Sequence, residues 1–210
     1  MRRLIDARPG FDPEAWRRYG PAPDPFGTLL RVVTGQQVST SAASAILGRL
    51  SALFGGRLPT PSELLTTEEG DLRSVGLSRQ KLAYVRNLAE LVESGALDLD
   101  RLAGLSDDEV RERLTAVKGI GRWSADMFLL RELGRPDVLP SGDVGIRNAV
   151  QKAYDLPAPP TPAEVDLLGQ EWRPHRSLAA AFLFASLDDA TEPKPTERAP
   201  GSPTFRMRGQ

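Results

Sequence analysis

An all-α fold is what this sequence predicts, and three observations carry the prediction. Apolar residues recur at helical spacing, helix start and stop signals are dense, and no stretch of alternating polarity lies between hairpin turns. In chain order, Phe26 to Gly35 and Ser39 to Phe54 read as helices, the second halted by Gly55-Gly56. Ser78 precedes a stripe of Leu82, Val85, Leu88 and Val92, with Gly95 where a C-terminal cap is wanted. Ser106-x-x-Glu109 and Thr161-x-x-Glu164 have capping-box spacing, and Pro162 takes a first-turn position. Further helices are expected from Arg122 to Leu133, closed by Gly134, and from Val144 to Tyr154. The run from Arg176 to Leu187 is nearly all apolar or small, which predicts a buried helix. Both ends are proline-rich. Phe11, Trp16 and Tyr19 can still pack the front segment, whereas the tail beyond about Ala190 has few apolar residues and is expected to be mobile.

Composition narrows the chemistry. The 210 residues are 40% hydrophobic and 26% charged, an ordinary globular balance. No apolar run approaches the roughly 20 residues of a membrane span, and the opening MRRLIDARPG lacks a signal-peptide core, so the cytoplasm is the expected location. Cysteine is absent and His175 is the only histidine. Disulfides, thiolate metal sites and cysteine-ligated iron–sulfur clusters are therefore excluded, and a serine–histidine triad has almost nothing to be built from. Catalysis must rest on carboxylates, lysine, tyrosine or backbone groups. The net charge of −1 hides a pattern: Leu72 to Arg86 holds four bases and no acid, Asn87 to Val110 sums to −6, and Arg111 to Arg135 to +3. Two basic segments around an acidic one suit either a face presented to a polyanion or a set of solvated helix faces.

The most informative run is LTAVKGIGRWSADMFLL, from Leu114 to Leu130. A helix ends near Thr115, Gly119-Ile120-Gly121 turns the chain, and a second helix starts near Arg122. Glycines at both ends of the turn permit positive φ and remove the Cβ atoms that keep another molecule from the backbone. Their amides, with the N-terminus of the second helix, converge on one point suited to a phosphate. Leu114, Val117, Ile120, Ala125 and Leu129 are expected to pack the two helices together. This spacing matches the helix–hairpin–helix DNA-binding element at every defining position, with Lys118 where a proline is common. Twenty residues beyond Trp123, Pro140 and Gly142 make a tight loop that ends in Asp143, at the N-cap of the next helix. An aspartate there needs no duty beyond capping.

A helix–hairpin–helix followed by a Gly/Pro-rich loop and one aspartate resembles the HhH-GPD superfamily of DNA glycosylases. The likeness is to the bacterial DNA-3-methyladenine glycosylase II family, in a short form without its N-terminal β-rich domain. Arg31 to Ser39, Gly76 to Arg86 and Trp172 to Ala180 are similar to further stretches of that family, His175 standing where an aromatic residue is usual. The resemblance implies that Asp143 is the catalytic carboxylate and that Trp123, Phe184 and Met127 form the base pocket. It implies that Gln37, with Gln36 as its neighbour, wedges the duplex. It assigns DNA-backbone contacts to Lys118, Gly119, Gly121, Arg122, Ser78 and Lys81. Backbone carbonyls of Thr115, Val117 and Ile120 would hold Na+ or K+ when DNA is bound.

Relatives that also cleave the strand carry a lysine where this chain has Trp123, so the resemblance implies base excision by water alone, without a cofactor. Lys118 and Lys152 remain as imperfect Schiff-base candidates. The expected partner is double-stranded DNA with alkylated bases, bound by a monomer. The expected architecture is one helical lobe over 27–130 and a second made of 1–26 with 131–190, followed by the tail 191–210. Three alternatives stay open: a bifunctional glycosylase/lyase, a DNA-binding module without chemistry, and a helical interaction scaffold.

Overall fold

The computed structural model describes residues 1–17 and 24–188, and among these every regular element is helical. The expectations for Tyr19 and for a mobile tail over 191–210 lie outside the described residues. Two short helices, α1 (Arg2–Asp6) and α2 (Pro13–Arg17), precede α3 (Pro25–Gly35) and α4 (Thr40–Leu53). Asp24 caps α3 by accepting from the Gly27 amide at 3.0 Å, and Ser39 caps α4 by accepting from Ala42 at 3.2 Å.

Two short helices unread in the sequence follow, α5 (Pro61–Thr66) and α6 (Glu69–Ser74). Helix α7 (Arg79–Glu93) starts on its Ser78 cap, and α8 (Asp107–Thr115) and α11 (Pro162–Leu168) begin with the capping boxes expected of them. Between these lie α9 (Arg122–Arg131) and α10 (Val144–Ala153), and α12 (Arg176–Asp188) closes the described chain. Helix α9 stops short of the expected Leu133. The Leu133 amide reaches back to the Phe128 carbonyl at 3.1 Å, and Gly134 turns the chain at φ +61.

Packing falls into two groups. Helix α3 is buried on nearly every side and packs against α4, α7 and α9, while α8 lies on α9 and α5 on α7. The second group gathers on α12, which packs against α1, α2 and α10. Phe11 sets its edge on Phe182 and Trp16 stacks on Phe184, so the front segment is held by aromatic contacts. One apolar core runs through both groups, from Leu29 and Leu88 to Ile146 and Leu183, each fully buried. Truncating such a leucine to alanine costs about 2–5 kcal/mol.

The connection from α9 to α10 carries Asp143, and its start is fastened to α12. Asp137 accepts from Arg176 at 2.7 and 3.0 Å, and Arg173 lies 3.5 Å away. The buried Ser177 hydroxyl accepts from the Val138 amide at 2.9 Å. Val138 and Leu139 then enter the core, and the Asp143 amide closes a turn onto the Pro140 carbonyl at 2.9 Å.

The basic segments are partly spent inside the fold, while Arg73, Arg79, Arg113, Lys118 and Arg122 stay exposed. Arg86 donates to the Thr67 carbonyl, Arg111 pairs with Asp108 and Asp126, and Arg135 binds the Ala103 and Leu105 carbonyls beside Asp107. The summed charge of a segment therefore says little about the face it presents.

Candidate functional site

A cleft of about 1010 Å³ runs along the molecule, lined by residues 35–39, the first turns of α7, residues 115–121 with Trp123 and Ser124, and residues 142–145. Four separate stretches of sequence thus meet on one concavity.

The hairpin between α8 and α9 supplies one wall. The Val117 amide returns to Leu114 at 3.1 Å and the Ile120 amide to Val117 at 3.0 Å, while Gly119 takes φ +90. The first bond that closes α9 is Ala125 to the Gly121 carbonyl at 3.1 Å, and Gly121 brings no side-chain cap. The amides of Arg122, Trp123 and Ser124 thus have no intrahelical partner and form the partial positive end of the α9 dipole. The two glycines differ. A Cβ on Gly119 would lie 2.2 Å from Cγ of Tyr84, so that residue is closed in by α7. Gly121 has φ −95 and a Cβ there would meet nothing within 4 Å. Only Gly119 needs the left-handed region, which corrects the expectation for both.

Lys118 and Arg122 stand exposed at the turn, with Arg122 3.6 Å from Asp126. Asp126 is buried behind the hairpin and ties α9 to α8 through Arg111 at 2.7 Å; burial pushes its carboxyl above the ordinary value despite both guanidinium groups. Leu114, Val117, Ile120, Ala125 and Leu129 are buried where the hairpin packs, as expected. Thr115, Val117 and Ile120, whose carbonyls were assigned to a cation, belong to the cleft lining.

Asp143 forms the facing wall. Its Oδ1 accepts from the Ile146 amide at 2.9 Å, which is the capping role, and its Oδ2 accepts from Trp123 Nε1 at 2.6 Å. Capping uses one oxygen and leaves the second on the cleft side, so the capping role does not use up the carboxylate. The indole bond joins the two groups across 20 residues of sequence and fixes the ring edge-on to the carboxylate. Among the described residues no cation pairs with Asp143. Val144, beside it at the start of α10, is 65% exposed.

Three assignments need correction. Met127 is 5% exposed and lies in the core, because α9 is buried all round from Ser124 to Leu130. Phe184 does not line the cleft: its ring stacks on Trp16 at 5.2 Å, behind Gly145, where an added Cβ would lie 3.7 Å from it. Gln36 turns inward, its Nε2 donating to the Gly119 carbonyl at 2.9 Å and to Ser124 Oγ at 3.0 Å.

Gln37 is exposed at φ +56, a left-handed backbone that aims the loop outward, with Val38 beside it. Ser78 caps α7 at the cleft edge. Lys81 lines the cleft, but its ammonium donates to the Thr34 carbonyl at 2.6 Å, and burial holds it below the usual lysine range. Tyr84, Ser124 and Gly145 were not foreseen, since their importance lies in contacts with residues distant in sequence.

The chain matches the HhH-GPD superfamily base excision DNA repair protein family over residues 30–175. DNA-3-methyladenine glycosylase 1 of Schizosaccharomyces pombe is 36% identical over 174 residues, covering 81% of this chain and 76% of that protein. The solved structure of Schizosaccharomyces pombe 3-methyladenine DNA glycosylase in complex with abasic DNA superposes with a TM-score of 0.80 at 32% identity, covering 92% of this chain and 93% of that one. A DNA-3-methyladenine glycosidase from Bacillus halodurans superposes with a TM-score of 0.67 at 39% identity, covering 79% and 76%.

Proposed function

Since the chain belongs to the HhH-GPD superfamily of base excision DNA repair proteins, we propose that it is a monofunctional DNA glycosylase that removes alkylated bases from duplex DNA by hydrolysis. The observation that carries this reading is the pairing of Asp143 with Trp123 on the wall of the cleft the hairpin also lines.

Breaking an N-glycosidic bond leaves positive charge on the sugar, so the chief task is electrostatic. The Asp143 carboxylate, unpaired with any cation among the described residues, is free to face that charge and to orient the attacking water. Trp123 holds the carboxylate by its edge and offers a π-face to an extruded base. Alkylation at a purine ring nitrogen makes that base cationic, which favours the face of an indole. Extrusion costs roughly a few kcal/mol. Gln37, exposed in a left-handed turn at the cleft edge, would fill the gap and hydrogen-bond the orphaned base.

Donors of the α9 N-terminus, with Gly121, Lys118 and Arg122, grip the backbone. The carbonyls of Thr115, Val117 and Ile120 suit a monovalent cation there, which would add charge for a phosphate; Val117 already accepts one amide, leaving a second lone pair. No cofactor is required, and one chain supplies both cleft walls, in keeping with a monomer of two lobes, 27–130 and 1–26 with 131–190. The test is chromatography of bases released from duplexes bearing single lesions. Free 3-methyladenine with no borohydride-trapped adduct is expected; a trapped adduct would move the reading to a lyase.

A further inference from the structure

The loop that carries Gln37 and the hairpin turn are joined by a single side chain. Gln36 ends α3 with ψ 133, outside the helix, and its amide nitrogen spends both hydrogens on the hairpin. One goes to the Gly119 carbonyl and the other to Ser124 Oγ, on a residue 1% exposed. The Gly119–Ile120 peptide is thereby held at both ends, its carbonyl by Gln36 and its N–H by Val117. Tyr84 packs on the other side of Gly119, its ring lying where a Cβ would stand.

We infer that Gln36 is a positioning residue that couples the grip on the DNA backbone to insertion of Gln37 into the duplex. The inference rests on the reading of Gln37 as the wedge. A phosphate docked on the turn fixes Gly119, Gly119 fixes Gln36, and Gln36 fixes the strained backbone of the next residue, at φ +56. Without the bridge the turn still presents its amides, but the wedge loop loses its hydrogen bonds to the hairpin.

The experiment uses the full chain and two duplexes, one undamaged and one with a tetrahydrofuran abasic analogue flanked by 2-aminopurine. Gln36→Leu keeps the volume and removes both donors; Ser124→Ala removes one acceptor and serves as the second variant. The coupling predicts that Gln36→Leu loses about tenfold more affinity for the abasic duplex than for the undamaged one, together with the 2-aminopurine response. It also predicts that Gln36→Leu adds little to Gln37→Ala, because both abolish the same event. Equal losses on both duplexes, or losses that add with Gln37→Ala, overturn the coupling while leaving the wedge in place. If Gln37→Ala itself leaves the abasic preference and the fluorescence intact, the wedge reading falls and the coupling with it.

Discussion

Trp123 donates its indole N–H to Oδ2 of Asp143 at 2.6 Å, so one bond joins the aromatic ring and the carboxylate of the candidate site. Trp123→Phe keeps a ring and deletes the donor. The single-turnover rate of base release is expected to fall by about tenfold or more, with a smaller change in affinity for abasic DNA. An unchanged rate would mean that the bond does not orient the carboxylate.

Gly145 lies behind the same carboxylate. A Cβ there would come 2.9 Å from Asp143 Oδ1 and 3.0 Å from Leu187 Cδ1, and one of the two must give. Gly145→Ala is expected to fold and to lose between about tenfold and a hundredfold in single-turnover rate, since small displacements of a catalytic group are costly. Wild-type turnover would show that Leu187 yields instead.

The two hairpin glycines make a matched pair. Gly119→Ala meets both φ +90 and the Tyr84 ring, so it should lower the melting temperature as well as DNA affinity. Gly121→Ala has open space and ordinary φ, so its melting temperature should stay near wild type while duplex affinity falls. Affinity unaffected by Gly121→Ala would remove the phosphate from that turn.

Asp137 anchors the loop that leads to Asp143. Burial raises its carboxyl, but the hydrogen bonds from Arg176 and the charge of Arg173 outweigh it, and the group is held below the ordinary aspartate value. A depressed folded value stabilises the fold above the unfolded value near 3.9, and that contribution is lost as pH falls through the folded one. Asp137→Asn should cost about 2 kcal/mol at pH 7 and flatten the acid limb of denaturant-measured stability. An acid limb identical to wild type would contradict the assignment.

What the sequence made legible were features with local causes. Ser106 with Glu109 and Thr161 with Glu164 form the boxes their spacing announces, and Thr60 with Glu63 forms another that the same rule covers but that went unread. The hairpin and Asp143 stood out because glycine and a capping aspartate act within a few residues. Gln36 and Gln37 show where such reading stops. Identical side chains, adjacent in the chain, point opposite ways because the partners of Gln36 lie 83 and 88 residues on. Met127 and Phe184 fail for the same reason, their surroundings being set by α3 and Trp16.

The measurement that bears most directly on the account is single-turnover release of 3-methyladenine from methylated duplex by wild type and by Asp143→Asn, with binding to abasic DNA followed in parallel. Asparagine also caps helices, so the variant should fold. The account predicts release by wild type, a loss of about a hundredfold or more in the variant, and binding retained by both. Release at the wild-type rate by a folded, DNA-binding Asp143→Asn would contradict it.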